Sequence, residues 1–367
     1  MSFYFTNGEP DLYYEICIML SSFQRGFKMK ALILSGGTGT RLRPLTFTNA
    51  KQLLPLANIP ILHHIIEKTV KAGISDIGII VGDTHEQVAK SVGNGEKWNA
   101  SVSYIYQPQP LGLAHAVKTA KEFIGEDDFL MILGDNAFSM NLDVLIENFR
   151  VSRANSSILL HRVENPSQYG VAVVENNCIK KLVEKPEIFI SDLIITGVYI
   201  FDKTIFEAID NTKPSKRGEL EITDAIQVLL DMGGKVTYEL IRGWWKDTGS
   251  LQDILEANRL ILDEVQYRYC TGKNVLIENS TITGPVVIDD DSVITNSSIG
   301  PYVSIGKGVR INDCKVDNSI ILDNTWLSGI NKRISGSLIG KYVTVKSADK
   351  ISHLNSFLLG DNCEIYL

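Results

Sequence analysis

The sequence predicts an α/β domain on a mixed, mostly parallel sheet, followed by a parallel β-helix of hexapeptide repeats. Three observations point there. Short continuous apolar runs such as Ala31–Leu34 and Phe129–Leu133 alternate with helical patterns through the first two-thirds of the chain, as buried parallel strands between helices do. Two of these runs end in glycine turns, Ser35-Gly36-Gly37 and Gly134-Asp135-Asn136. After about residue 274 helical periodicity stops, and isolated Ile, Val and Leu recur every six residues.

Taken in order, residues 1–28 read as an N-terminal extension, because Met29 directly precedes the first convincing strand. Ile16-Cys17-Ile18-Met19-Leu20 is too short, and too close to Glu15, for a signal peptide. Residues 29–265 form the α/β domain. After the strand at 31–34, Pro60 opens a helix with Leu62, Ile65, Ile66, Thr69 and Val70 on one face, and Gly73 closes it. Strands follow at Ile77–Val81 and Val102–Tyr106, a helix at Gly112–Phe123, and a strand at Phe129–Leu133. Strands at Ser157–Arg162, Gly170–Glu175, Ile179–Val183 and Ile194–Phe201 cover one half of a cleft. A helix at Ile222–Met232 and a strand at Lys235–Leu240 follow, and Ser250 caps a helix running to about Tyr267. Residues 266–367 carry the repeats. Ile282, Ile288 and Ile294 are six apart, as are Ile299, Ile305 and Ile311, and the steps 282–299 and 299–316 are both 17 residues. Each coil then has three short faces with one inward apolar residue apiece. Neighbouring coils and the long helix must cover one another. The register weakens beyond Leu327 and recovers at Ile339 and Val345.

The chain has 367 residues, enough for two or three domains. Charged residues make up 22%, with 36 basic and 43 acidic side chains and a net charge of −7. This balance argues against a nucleic-acid polymer as partner, while a few placed cations still suffice for a small anion. Five cysteines, with no Cys-x-x-Cys, argue against disulfides or zinc and for a cytoplasmic location. No run of about 18 apolar residues exists to span a membrane.

The strongest chemical signal is Leu34-Ser35-Gly36-Gly37-Thr38-Gly39-Thr40-Arg41-Leu42-Arg43-Pro44-Leu45-Thr46, with Lys51-Gln52-Leu53-Leu54-Pro55 close behind. It is not a Walker A loop, because no Gly-Lys-Ser/Thr follows, nor a dinucleotide fingerprint, because Leu42 stands at the third glycine position. Glycines leave backbone N–H groups free to surround a phosphate, and Arg41 and Lys51 add positive charge. The glycine loop and Asp135 both lie beyond the carboxyl ends of strands, where ligands of such sheets bind.

Together these segments resemble the signature of the sugar-1-phosphate nucleotidylyltransferases. Further elements match in order: Gln107-Pro108-Gln109-Pro110-Leu111-Gly112-Leu113-Ala114, Leu133-Gly134-Asp135-Asn136, Tyr169-Gly170-Val171, Glu184-Lys185-Pro186, Thr196-Gly197-Val198-Tyr199, Arg217–Asp224 and Trp245-Lys246-Asp247-Thr248-Gly249. The resemblance covers about residues 29–262. It implies a Rossmann-like nucleotidyltransferase domain with a left-handed β-helix behind it. It also implies Arg41, Lys51 and Lys185 as catalytic cations, and Asp135 and Asp247 as ligands of Mg²⁺. Gly36, Gly37, Gly39, Thr40, Gln52, Gln107 and Gly112 would hold the nucleotide. Tyr169, Gly170, Glu184, Lys185 and Thr196 would hold the sugar phosphate.

A sugar 1-phosphate attacking the α-phosphorus of a nucleoside triphosphate needs alignment and charge neutralisation more than a general base. This fits the lack of a convincing Ser–His pair. His63 and His64 read as structural, and His85, His115 and His161 have no partner that the sequence names. Gln52 and Gln107 resemble the pair found in thymidylyl-transferring members, which favours dTTP with UTP as a second substrate, and glucose is the default sugar. Three alternatives remain: a UTP-using glucose-1-phosphate uridylyltransferase, a bifunctional N-acetylglucosamine-1-phosphate uridylyltransferase with acetyl transfer in the β-helix, whose one histidine is His353, and a non-catalytic regulatory subunit. The exposed coils predict a homo-oligomer.

Overall fold

The computed structural model describes residues 29–37, 39–264 and 269–347. The first described strand, β1 (Met29–Leu34), leads through 3-10 turns at Thr40–Leu42, Leu45–Phe47 and Lys51–Leu53 into the small hairpin β2 (Pro55–Leu56) and β3 (Ile59–Pro60). Next come α1 (Ile61–Lys71), β4 (Asp76–Val81), α2 (His85–Val92), β5 (Ser101–Tyr106), α3 (Leu113–Thr119), α4 (Lys121–Ile124), β6 (Asp128–Leu133) and β7 (Asn136–Phe138). Then follow α5 (Asp143–Ser152), β8 (Ser156–Arg162), β9 (Gly170–Glu175), β10 (Cys178–Glu184), β11 (Leu193–Phe201), α6 (Thr204–Asp210), α7 (Ile222–Asp231), β12 (Val236–Leu240), β13 (Trp245–Asp247) and α8 (Leu251–Asp263). The proposed N-terminal extension and the far end of the helix expected to reach Tyr267 lie outside the described residues.

Nine strands form one sheet, in the order β10-β9-β11-β6-β1-β4-β5, with β8 joined to β11 and β12 to β8. β1 pairs in parallel with β4 and β6, and β4 with β5. β11 runs antiparallel to β6, β8 and β9, which makes the sheet mixed. Alternate residues of β1 explain why its sequence is apolar throughout. Ala31 and Ile33 join a core completed by α1, α2, α5 and α8, whereas Leu32 and Leu34 join a core completed by α3, α4, α6 and α7. A strand buried on both faces has no polar side to show. The helix expected over Gly112–Phe123 is two helices. The chain tightens at Ala120, whose N–H bonds to the Val117 carbonyl at 3.0 Å, and then turns into α4.

Beyond α8 the strands are two or three residues long and all pair in parallel, in three sheets consistent with a left-handed β-helix. The 17-residue return holds for Leu276↔Val293↔Arg310, then shortens to 16 at Arg310↔Trp326 and lengthens to 18 at Trp326↔Thr344. This is where the sequence register weakens. The inward residues Ile288, Ile294, Ile299, Ile305, Ile311 and Val316 form one buried column.

The β-helix leans on the first domain through specific contacts. Asn258 on α8 is buried, and its Oδ1 accepts from Ala57 N–H and from the Ser304 hydroxyl, both at 2.8 Å. Asn58 donates to the Ile305 carbonyl at 2.7 Å. The Arg259 guanidinium lies 4.7 Å from the Tyr302 ring centroid. Ile320 and Leu322 complete the core on the α1 side of the sheet.

Candidate active site

Beyond β1 the chain turns tightly at Gly39. Gly39 sits in the left-handed region at φ 63°, and its carbonyl accepts from the Thr46 hydroxyl at 2.7 Å. A side chain there would meet Thr46 and the Lys51 Cβ within about 3 Å. That close approach turns Thr40 and Arg41 outward and Lys51 inward. Asp135 follows β6, where the Gly134 N–H bonds to the Leu34 carbonyl at 2.8 Å. Asp247 is distant in sequence, and β13 brings it in by pairing antiparallel with β7, setting Asp247 opposite Asn136. Thr248 fastens the junction by donating from its N–H and its hydroxyl to the Asp135 carbonyl.

These elements place Lys51 between two carboxylates. Its Nζ is 2.6 Å from Asp135 Oδ2 and 3.6 Å from Asp247 Oδ1, and its side chain is only 7% exposed. Arg41 stands above them, 71% exposed, with its guanidinium against Gly249 and 4.0 Å from Asp247 Oδ2. Burial first, and then the Asp135 charge, push the Asp247 carboxyl above the usual range, against the pull of Lys51 and Arg41.

On one side of this cluster lies the glycine loop with two carboxamides. A Cβ at Gly36 would be 3.5 Å from Gln107 Oε1, and one at Gly37 would be 3.7 Å from Gln52 Nε2. Gln52 is buried, and its Oε1 has no hydrogen-bond partner among the described residues. Gly112, at φ 105°, packs on the Leu220 backbone.

On the other side is a cavity of about 140 Å³. Its lining includes Asp135, Tyr169, Gly170, Glu184, Thr196 and Asp247. Glu184 accepts from the Thr223 hydroxyl at 2.7 Å, and burial pushes its carboxyl up. Arg217 reaches Glu221 at 2.7 Å and Glu184 at 3.4 Å. The Thr196 hydroxyl is committed to the Leu159 carbonyl at 2.8 Å, so this residue presents its methyl and backbone to the cavity. Lys185 lies beside Glu184, its Nζ at 3.8 Å, with its backbone in the left-handed region at φ 41°. Such a conformation is uncommon for a lysine and is held here by the Lys185 N–H bond to the Tyr169 carbonyl.

Every residue expected at the site thus lies either around the glycine loop, in the Lys51 cluster or beside the cavity. Sequence reasoning did not single out Asn136. Its Oδ1 accepts from Trp245 Nε1 at 2.6 Å and from Gly197 N–H at 3.2 Å, while its Nδ2 donates to Asp135 at 3.0 Å. Thr223 and Glu221 lie within Arg217–Asp224, but nothing local marks which of its side chains turn inward. His63 and His64 are half-buried and bond to Ser91 and to the Leu56 carbonyl, the structural role expected of them. His115 does have a partner, the Gln107 carboxamide.

The chain matches the nucleotidyl transferase family over residues 30–264. It belongs to that family. It is 45% identical over 350 residues to a glucose-1-phosphate thymidylyltransferase of Streptomyces griseus, covering 91% of this chain and 98% of that one. Among solved structures, a Bacillus anthracis chain described as a glucose-1-phosphate thymidylyltransferase, in complex with sucrose, superposes with a TM-score of 0.61. It shares 37% identity, over 65% of this chain and 97% of its own. A UDP-glucose pyrophosphorylase complexed with UDP-glucose gives 0.58 at 28% identity, over 65% of this chain and all of that one. In this nucleotidyl transferase no helix of the described residues is long and apolar enough to cross a membrane.

Proposed function

We propose that the chain transfers a thymidylyl group from dTTP to glucose 1-phosphate, giving dTDP-glucose and pyrophosphate. The observation that carries this reading is the Lys51–Asp135–Asp247–Arg41 cluster, which lies between a carboxamide-lined glycine loop and a carboxylate-lined cavity. A nucleotide on one side and a sugar phosphate on the other would meet at the cluster. The 45% identity to the Streptomyces griseus enzyme supports the same pair of substrates.

In this scheme an oxygen of the sugar phosphate bonds to the α-phosphorus of dTTP as the bond to the β-phosphate oxygen breaks, and pyrophosphate leaves with that electron pair. The attacking oxygen is already deprotonated near neutral pH, so no side chain has to remove a proton. Gly36, Gly37, Gly39 and Thr40 offer backbone to the triphosphate. Arg41 follows the charge that grows on pyrophosphate. Lys51 adds charge near the α-phosphate, and Lys185 holds the incoming phosphate. Glu184 accepts from sugar hydroxyls, Tyr169 and Gly170 shape the cavity wall, and Gln52, Gln107 and Gly112 face the base.

Among the described residues no three His, Cys, Asp or Glu side chains gather to hold a metal. Asp135 and Asp247 supply oxygen donors only, and Asp247 is held above its usual range by burial and then by the Asp135 charge. Such a pair fits Mg²⁺, which takes few protein ligands and fills its shell with water and phosphate oxygens. When bound, the ion supplies charge neutralisation between the two phosphates.

UTP serves as a second nucleotide in this reading. Thymine differs from uracil by one methyl, worth roughly 1–3 kcal/mol of discrimination. Residues 29–265 form the catalytic unit and 266–367 the β-helix. Exposed Leu276 and Trp326 on one β-helix sheet favour a homo-oligomer. A cytoplasmic location suits the phosphorylated reactants.

Pyrophosphate release from dTTP, Mg²⁺ and glucose 1-phosphate tests the reading, and silence with every sugar phosphate overturns it. Asp135→Asn is expected to lower kcat by about 100-fold or more while leaving the thermal midpoint close to wild type. Chelation of the metal is expected to stop turnover reversibly.

A further inference from the structure

Gln107 follows β5, and its carboxamide is held from one side. Nε2 donates to His115 Nδ1 at 2.9 Å and to the Gly112 carbonyl at 3.4 Å. A carbonyl can only accept, so Nε2 is the end that faces Gly112, but at 3.4 Å this bond only biases the carboxamide, and the 2.9 Å bond to His115 holds it. Both hydrogens of Nε2 are then committed within the chain, and Oε1 is left toward Gly36. His115, in the first turn of α3, must present a bare Nδ1 and carry its hydrogen on Nε2. Gln52, the second carboxamide at the loop, has no matching clamp on its oxygen, because Oε1 is buried without a partner among the described residues.

We infer that His115 is a positioning residue for base selection: it locks Gln107 with its acceptor toward the nucleotide, so that the site takes pyrimidines bearing an N3–H. The inference rests on the nucleotidyl-transfer reading above. Thymine and uracil carry hydrogen on N3 and can donate to Oε1. Cytosine carries a lone pair on N3, which Oε1 repels. Without His115, the long bond to Gly112 alone restrains the carboxamide. The amide can then turn over and present Nε2, a donor that suits cytosine N3. A buried polar group matched to one hydrogen-bonding pattern discriminates mainly by leaving the wrong partner unpaired.

Steady-state kinetics with dTTP, UTP and dCTP against glucose 1-phosphate test this. In His115→Ala the KM for dTTP is expected to rise about tenfold and kcat to change by less than about twofold, as for loss of one binding hydrogen bond. The kcat/KM of dCTP relative to dTTP is expected to rise by about tenfold. His115→Asn, whose Oδ1 can accept near the position of Nδ1, is expected to restore both values toward wild type. The inference is overturned if His115→Ala keeps the wild-type nucleotide ratio, or if His115→Asn is no better than His115→Ala. A variant that merely loosens the fold lowers turnover with all three nucleotides alike and leaves the ratio unmoved, which also counts against it. Wild-type enzyme that uses neither dTTP nor UTP refutes the transfer reading itself, and the inference falls with it.

Discussion

Lys51 shows how much of the site's charge balance rests on one buried ammonium. Without it, Asp135 and Asp247 would face each other with exposed Arg41 as the one ion-pairing cation left among the described residues. Lys51→Ala is therefore expected to lower kcat by about 100-fold. It is also expected to make the thermal midpoint rise with added Mg²⁺ more steeply than in wild type, because a cation then binds the folded state alone. Scanning calorimetry with and without the metal checks this. Gly112 is the equivalent point for the backbone. At φ 105° and in close contact with Leu220 N and O, it has no room for a Cβ. Gly112→Ala is expected to cost about 3 kcal/mol, measurable by urea unfolding. Arg41, Lys51 and Asp135 were legible because each lies in a short motif whose chemistry is local. Asn136, His115 and Thr223 were not, because each acts through a partner that only the fold supplies: Trp245, Gln107 and Glu184.

At the scale of elements, β1 and β6 could be read directly, since burial on both faces leaves an unbroken apolar run. The helix α2 could not: only Val88 and Val92 of its eight residues are buried, too few to set a period. The ribbon of β7 and β13 was equally hidden. Three-residue strands carry no alternation, yet this pairing brings Asp247 to Asp135. At the start of β6, burial, followed by Asp202 and Asp127, raises the Asp128 pKa to about 6. The folded state then holds this proton more tightly than the unfolded chain does. The stabilising contribution is complete below the unfolded value of 3.8 and is lost as pH rises through about 6. Asp128→Asn is expected to raise the melting temperature near about pH 7 and to leave it nearly unchanged near about pH 3, which pH-dependent thermal melts would reveal. In α8, Asn258 bonds two groups at once. Asn258→Ala is expected to cost about 2–3 kcal/mol, because Ala57 N–H and the Ser304 hydroxyl lose their shared acceptor, a loss that denaturant titration can read.

For the whole molecule, the net charge of −7 does not describe the site locally, where Arg41 and Lys51 stand against Asp135 and Asp247, and Lys185 against Glu184. Light scattering that returns a monomer mass would count against the homo-oligomer reading. The 17-residue return made the β-helix legible from spacing alone. That the coils lean on the long helix was expected, but the residues that make the contact were not legible, since Asn58, Asn258 and Arg259 look like ordinary polar residues. Those contacts have a consequence for engineering. The tail's Ile320 and Leu322 sit in the same core as α1, and a side chain at Gly340 would lie 3.2 Å from Leu45, four residues past Arg41. A β-helix grafted from another chain would thus have to match a surface that reaches into the signature loop. Chimeras of this protein call for exchanging Leu45, Asn58, Asn258 and Arg259 together with the coils, rather than cutting at the junction.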